Sequence, residues 1–478
     1  MQKRPNILFI VTDQQRVDTI AAHGHAHMDT PNLDSLVQLG TSFHNMYVTS
    51  PSCAPSRASL FSGVYPHTNG VFRNDEQWNY TWVGLLAEAG YRCVNIGKMH
   101  TNPFEKAFGF HERHVTENKD RAHPSLPFFL DNWDKALAAR GLEKPSRITY
   151  RKRADYQERL GAYPWELPED MHSDIFVPQM ATLWLDRYHG EEPFFLQVGI
   201  PGPHPPYDPL QRYVDPYLRK ELPKAIRDYD LDSQPAALRK LRQQHLDNDH
   251  DAIVHLANPS DEQLHRQRAH YYANVSMIDT QVGELIDALE RRGVLDDTVI
   301  IFTSDHGDCL NDHGHSQKWS MFEQSVRVPG IISWPGHITG DHHVTDLVAM
   351  FDLGPTILEL AGVTPPGWME AQSLTPYFSQ STDPSRVRVF AEHAEDLILE
   401  HVEFVTMVRE GPWKLVHFLG DTEGQLFNLD EDPGERRNLW DDPVYADQRQ
   451  QLIVEILNWR LRSSKKAQGF VNAATAVS

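Results

Sequence analysis

Asn6-Ile7-Leu8-Phe9-Ile10-Val11-Thr12-Asp13-Gln14 is an apolar run that closes on an acid and an amide. A short run that is apolar without alternation reads as a strand buried on both faces, the habit of parallel sheets. Residues 93–96, 194–198 and 299–302 read the same way. Each leads into polar residues: Gly97-Lys98-Met99-His100, then His204 after a Pro/Gly turn, then Ser304-Asp305-His306-Gly307. In an open α/β sheet ligands bind beyond the carboxyl ends of the strands. Four strands therefore aim Asp13, Lys98 with His100, His204, and Asp305 with His306 at one rim.

Helical stretches lie between these strands. The clearest spans 261–292, where Val275, Ile278, Val282, Leu285 and Leu289 recur at helical spacing and Gly293 is placed to stop it. Strands alternating with helices imply an α/β fold with right-handed crossovers. Segments 111–175 and 205–260 are polar, rich in Pro and charge, and weakly periodic; they read as loops above a site that set its specificity. Residues 372–386 are Ser-, Thr-, Pro- and Gln-rich and read as a linker. Beyond them come strand-like runs at 387–391, 402–408, 413–418 and 425–429. A last amphipathic helix places Leu452, Ile453, Ile456, Leu457 and Leu461 on one face. The division expected is 1–372 for the catalytic unit, 373–386 for the linker, and 387–478 for a small antiparallel sheet plus helix.

Composition narrows the class. The chain has 478 residues, 40% of them hydrophobic, enough for a large core, and its formal charge is −21. That balance disfavours nucleic acid and anionic membranes as partners. Cys53, Cys93 and Cys309 are too few for a disulfide framework. The opening Met1-Gln2-Lys3-Arg4-Pro5 runs straight into a strand without a signal-like apolar region, and no apolar run has membrane-spanning length. A cytoplasmic protein is expected.

Ser52-Cys53-Ala54-Pro55-Ser56-Arg57 is the next informative stretch. Pro55 suits the first turn of a helix, which puts Cys53 at an N-terminus where free N–H groups favour an oxyanion. Arg57, four residues on, shares that face and carries a fork suited to anionic oxygens. Asp13, Asp305 and His306 are ligands suited to Ca²⁺ or a similar divalent ion. Lys98, His100, His204 and Lys318 are candidates to steady charge on an ester's oxygens or to move a proton.

Cys53-Ala54-Pro55-Ser56-Arg57 followed by Ala58-Ser59-Leu60-Phe61-Ser62-Gly63 resembles the signature of type I sulfatases, members of the alkaline phosphatase superfamily. The resemblance extends to Thr30-Pro31-Asn32-Leu33-Asp34, Gly97-Lys98-Met99-His100, Ser304-Asp305-His306-Gly307-Asp308, Lys318-Trp319 with Glu323, and Leu426-Phe427-Asn428-Leu429 with Asp432-Pro433. Gly97-Lys98-Met99-His100 and Tyr272-Ala273-Asn274-Val275 look closest to choline sulfatases, whose long C-terminal tail is missing here. The resemblance implies a large mixed, mostly parallel sheet sandwiched by helices. It implies that a formylglycine-generating enzyme converts Cys53 to formylglycine, whose hydrated diol attacks the sulfur of a small sulfate ester. It places one divalent metal among Asp13, Gln14, Asp305, His306 and an oxygen of modified Cys53. Ca²⁺ comes first, but Gln14 stands where many sulfatases have a second Asp, which leaves Mn²⁺ and Mg²⁺ as alternatives. By the same resemblance Lys318 and His204 meet the sulfate or leaving oxygen, Lys98 and Arg57 support the diol, and His100 is the base that breaks the covalent intermediate.

A phosphonate monoester or phosphodiester hydrolase on the same scaffold is the alternative, since those substrates also present a singly charged tetrahedral centre. Lys98-Met99-His100 favours the sulfatase. A non-catalytic metal- or carbohydrate-binding protein that keeps the fold is the rival from another class. His23, His25 and His27 alternate in a polar loop and are not expected to hold a metal. His313 and His315 are close enough to the Asp305 turn to line the pocket. Cys93 and Cys309 are expected to be packing residues. The small-residue tail after Lys466 has the reach to touch a neighbouring subunit in a homo-oligomer.

Overall fold

The computed structural model describes residues 4–117, 130–379 and 386–477. Nine strands form the main sheet: β1 Asn6–Asp13, β2 Gly40–Tyr47, β3 Arg92–Gly97, β4 Glu112–Val115, β5 Phe194–Pro203, β6 Thr298–Ser304, β7 Arg327–Ser333, β8 His342–Val344 and β9 Val348–Ala349. Their order is β4-β3-β5-β1-β6-β7-β2-β8, with β9 also on β2, and β7 alone runs against the rest. The four apolar runs are thus β3, β5, β1 and β6, adjacent and parallel at the centre of the sheet.

Side chains alternate across a pleated strand, and β1 divides two cores accordingly. Leu8 and Ile10 join one cluster with Leu33, Leu36 and Val37 of helix α1 (Pro31–Gln38). Ile7, Phe9 and Val11 join the other, with Ala58, Leu60 and Phe61 of α2 (Cys53–Ser62). Insertion 111–175 holds β4 and several short helices, among them α3 (Asn132–Ala139), and α4 (Ser173–Arg187) packs Val177, Ala181 and Leu185 on the α1 side. Insertion 205–260 holds α5 (Gln211–Arg219) and α6 (Ala236–Asp247). Both insertions are thus partly helical rather than loops. The expected long helix is α7 (Asp261–Arg291), started by a Ser260–Gln263 capping box, with Ile278, Val282, Leu285 and Leu289 buried on the α1 side.

The second sheet is antiparallel, β10 Arg388–Ala394, β11 Phe404–Glu410, β12 Trp413–Phe418 and β13 Gly424–Asn428, in that order. The proposed linker is anchored at both described ends: Leu374 and Tyr377 are buried, and Arg386 pairs with buried Asp352 at 2.6 Å; its residues 380–385 lie outside the described ones. The last helix, α8 (Ala446–Val477), is rotated from the face expected, with Ile453 and Ile456 packed against the core as read. Leu457 and Leu461 are exposed, while Leu452, Trp459, Ser463 and Phe470 are buried. Aromatic contacts decide the rotation, since Trp459 stacks on Phe390 at 4.6 Å and Phe470 meets Trp368 at 5.4 Å. The segment after Lys466 therefore continues a helix docked on its own chain. Among the described residues no helix is long and apolar enough to cross a membrane.

Candidate active site

Glycine lets the strand ends converge. A Cβ on Gly199 of β5 would lie 1.8 Å from the Lys98 carbonyl oxygen, so only glycine allows that close approach. Lys98 N donates to Gly199 O at 2.8 Å, which fixes the turn after β3 against β5. On the other side, Asp305 N donates to Thr12 O at 3.2 Å and ties the end of β6 to β1.

Helix α2 starts at Cys53 as expected, and every one of its residues is buried. Asn74 Oδ1 accepts from Ala54 N at 3.1 Å, and Ser56 Oγ donates to Asp305 O at 2.6 Å. Cys53 Sγ is 3.1 Å from His306 Nε2 and 3.6 Å from Asp13 Oδ1, and it accepts from Lys318 Nζ at 3.0 Å. Asp13, Cys53, Asp305 and His306 are, among the described residues, the one cluster of His, Cys and acidic side chains compact enough to hold a metal ion.

The donor set fits a divalent cation. Asp13 gives Oδ2 to Lys98 Nζ, and Asp305 gives Oδ2 to Arg57 Nε at 2.7 Å. Each carboxylate keeps Oδ1 turned inward, 3.5 Å and 3.6 Å from His306 Nε2. His306 Nδ1 donates to Gly307 O at 3.0 Å, leaving the Nε2 lone pair on the cluster. Such an outer hydrogen bond fixes the tautomer a metal-ligating histidine needs. Gln14, at φ 72°, donates Nε2 to Asp308 Oδ2 at 2.7 Å and receives Lys318 Nζ on Oε1 at 3.0 Å. Its carbonyl oxygen is thereby on the Lys318 side of the cluster.

Arg57 is not aimed at an open pocket. It is fully buried, and besides Asp305 its guanidinium donates to Lys98 O at 3.0 Å and Thr12 O at 3.3 Å. It clamps three strand ends together.

The electrostatics follow from this crowding. Burial pushes Asp13 up, but Lys98, His204, Lys318 and Arg57 more than offset it and hold the acid well below its usual range. Burial and Asp13 push the Cys53 thiol up, whereas Lys318, Lys98 and His306 bring it down, and the net direction is down. Lys318 is raised against its burial by Cys53, Asp13 and Asp251, so it stays charged. His204 donates Nδ1–H to Pro205 O at 2.8 Å. Burial and Lys318 push it down to about 3. Its Nε2 faces Asp251 Oδ2 at 3.8 Å. His100, at φ 63°, is fixed through its N–H to Glu117 Oε1 at 3.1 Å.

Other histidines go elsewhere. His313 stacks on Phe322 at 3.9 Å and His315 Nε2 meets Gln234 Oε1 at 2.9 Å, and neither belongs to the Cys53 cluster. His23 packs against the ring of His44, and neither it nor His25 nor His27 belongs to a compact ligand cluster among the described residues. Cys93 and Cys309 are buried and each pushed up to about 12 by burial, as befits packing residues. Sequence reading missed Asp251 and Asp308; Asp308 had a signal, since it lies in the quoted 304–308 motif, whereas Asp251 stands in a segment with no motif at all.

The model of the family described as Sulfatase matches residues 5–363, and that described as N-sulphoglucosamine sulphohydrolase, C-terminal, matches residues 311–462. An arylsulfatase of Clostridium perfringens is 29% identical over 95% of this chain and 94% of its own length. A choline-sulfatase of Rhizobium meliloti is 32% identical over 92% of this chain and 83% of its own. Among solved structures, the phosphonate monoester hydrolase of Agrobacterium radiobacter superimposes with a TM-score of 0.78 at 26% identity, covering 96% of both chains.

Proposed function

The chain belongs to the sulfatase family, and from that membership we propose that it hydrolyses organic sulfate monoesters to alcohol and sulfate, with Cys53 oxidised to formylglycine as the nucleophile. The observation that carries the reading is Cys53 Sγ itself, set 3.0 Å from Lys318 Nζ and 3.1 Å from His306 Nε2 at the start of a buried helix. Here Sγ marks the place that the oxygens of the hydrated aldehyde would take in the mature enzyme. A divalent ion, Ca²⁺ or alternatively Mn²⁺ or Mg²⁺, would be held by Asp13, Asp305, His306 and the Gln14 carbonyl, and would make an adjoining hydroxyl more acidic.

The residues divide the work. One diol hydroxyl forms the bond to sulfur as the ester's S–O bond breaks, and the alcohol leaves. Lys318, held protonated beside the nucleophile, steadies the sulfate charge and is placed to give the departing oxygen a proton. His204, neutral with its Nδ1–H given to Pro205 O, presents the Nε2 lone pair, which accepts the hydrogen bond of the departing alcohol once Lys318 has protonated it. Loss of a proton from the second hydroxyl, with His100 as base, then expels sulfate and restores the aldehyde, which water rehydrates. Lys98 helps to hold Asp13 ionised throughout, and Arg57 Nε holds Asp305 Oδ2 at 2.7 Å.

A second reading, phosphonate monoester hydrolysis, is supported by the Agrobacterium radiobacter likeness. Parallel assays of an aryl sulfate and a phenyl phosphonate decide between them; a large preference for the phosphonate rejects the sulfatase assignment. Intact mass of protein from its native host tests the nucleophile, because oxidation to the aldehyde removes sulfur. Cys53→Ala should cost at least about 10³-fold in kcat; full activity in that variant rejects the mechanism.

A further inference from the structure

Asp251 is a carboxylate in a site built for an anion. It lies in the turn after α6, and it and Ala252 both hold left-handed backbone, at φ 53° and 57°. Non-glycine residues adopt that conformation at a cost, and only where surrounding structure imposes it. Here Arg147 donates to Asp251 Oδ1, and Gln317 Nε2 donates to the neighbouring His250 carbonyl at 2.9 Å. The second oxygen, Oδ2, points toward the centre, 3.8 Å from His204 Nε2. The carboxyl side chain is 12% exposed, so this oxygen is held in place without being sealed off.

Beside a sulfate ester, an ionised carboxylate repels the sulfate unless something between them is a donor. The sulfate's own charge is met by Lys318, whose Nζ lies 3.0 Å from Cys53 Sγ. Asp251 Oδ2 lies 3.8 Å from the Nε2 of His204, the residue placed at the leaving oxygen, and so faces the alcohol half. An alcohol that is purely apolar there leaves a nearly buried carboxylate oxygen without a partner, which costs about 1–3 kcal/mol or more for a charged group.

We propose that Asp251, braced by Arg147, is a specificity-determining residue that selects sulfate esters whose alcohol carries a hydrogen-bond donor, a hydroxyl or an ammonium, about two carbons from the ester oxygen. The inference rests on the sulfatase reading and narrows its substrate class. Aryl and simple alkyl sulfates are poorer substrates than polyol or amino-alcohol sulfates.

The test uses a matched series, ethyl sulfate, 2-hydroxyethyl sulfate and 2-aminoethyl sulfate, with the mature metal-loaded enzyme. The selectivity ratio, not any single rate, is the readout. Wild type should favour at least one donor-bearing ester over ethyl sulfate by at least about tenfold in kcat/KM. Asp251→Ala should bring that ratio to about one. Asp251→Asn, which keeps the size and a neutral acceptor, should abolish selectivity for the ammonium and keep part of it for the hydroxyl, so the two donors are told apart. Equal rates across the series in wild type, or an unchanged ratio in Asp251→Ala, overturn the proposal. Metal-loaded Cys53→Ala protein, titrated calorimetrically with the same esters, separates this inference from the sulfatase reading. Donor-selective binding by a protein whose wild type hydrolyses no sulfate sinks that reading and leaves Asp251's role intact; binding without selectivity sinks the role.

Discussion

Arg57 Nε reaches Asp305 Oδ2 at 2.7 Å with both side chains fully buried, and this pair decides which way Asp305 presents its other oxygen. A residue that reads in sequence as an anion binder works instead as a brace. Its remaining N–H groups hold the carbonyls that end β1 and follow β3.

Removing that brace should be severe. Breaking a buried ion pair costs about 3–5 kcal/mol, so Arg57→Gln should lower the thermal midpoint markedly. Arg57→Lys keeps the charge but not the three-way fork. It should remain folded and lose at least about 10²-fold in kcat/KM, because small displacements of catalytic groups are costly. A lysine variant with normal activity shows the fork to be dispensable.

Metal removal should separate the ligands from the brace. Chelator-treated protein is expected to lose activity and regain it with one of Ca²⁺, Mn²⁺ or Mg²⁺. A saturating ion at about 100 times its Kd adds about 2.7 kcal/mol of stability, a rise visible in thermal denaturation. His306→Ala should bind less than one ion per chain by elemental analysis. Undiminished activity in metal-free protein would falsify the assignment of Asp13, Asp305 and His306 as ligands.

Acid should unfold the protein through its buried histidines. Burial pushes His255 and His313 down to about 4 from an ordinary value of 6.5. Between these values the unfolded chain binds more protons than the native one, so stability is complete above about pH 6.5. It falls as pH drops toward 4, by up to about 1.4 kcal/mol per pH unit for each histidine. Thermal midpoints measured from pH 8 to 4 should be flat and then decline, with a shallower decline in His255→Leu. Equal slopes in the variant and wild type rule out that histidine as a contributor.

Lys414 of β12 is fully buried between Glu323 Oε1 at 2.9 Å and Glu435 Oε1 at 2.7 Å, and Tyr47 donates to Glu323 Oε2 at 2.9 Å. Glu323 lies five residues past Lys318, so the small sheet steadies the segment that carries the cation beside Cys53. Lys414→Met leaves two buried acids facing each other and should destabilise by about 3–5 kcal/mol. A Lys414→Met/Glu323→Gln/Glu435→Gln triple variant should recover part of the loss. No recovery in the midpoint of thermal unfolding means the charges are not the cause.

How much of this was legible follows from where the information resides. The central strands and α7 were readable because periodicity and run length are local properties, and the polar residues after each strand followed from chain direction alone. The helical content of 205–260 was passed over because Pro216 interrupts α5 and charged residues dominate both helices, although Val214 with Tyr217 and Leu238 with Leu241 keep helical spacing. The buried face of α8 was read in part: Leu452, Ile453 and Ile456 pack as their spacing implies, while Trp459 and Phe470 add contacts that aliphatic spacing does not show. Arg57's true partners needed the geometry, since carbonyls at three strand ends leave no trace in composition. Asp251 was invisible for a similar reason, because its place beside His204 depends on an unusual backbone turn in a segment of polar residues.

Helix α2 has a consequence in time as well as in space. Cys53 is separated from Lys318 by 265 positions, so on the ribosome the cysteine emerges long before the lysine that will cover it. In the finished fold Pro55 is buried, and Ser56 and Arg57 are wholly inaccessible. Any macromolecule that must grip the residues around Cys53 to oxidise it can do so only while the nascent chain is still open. On the oxidation of Cys53 proposed above, the speed of synthesis, and not only the amount of converting enzyme, would set what fraction of the protein is born active.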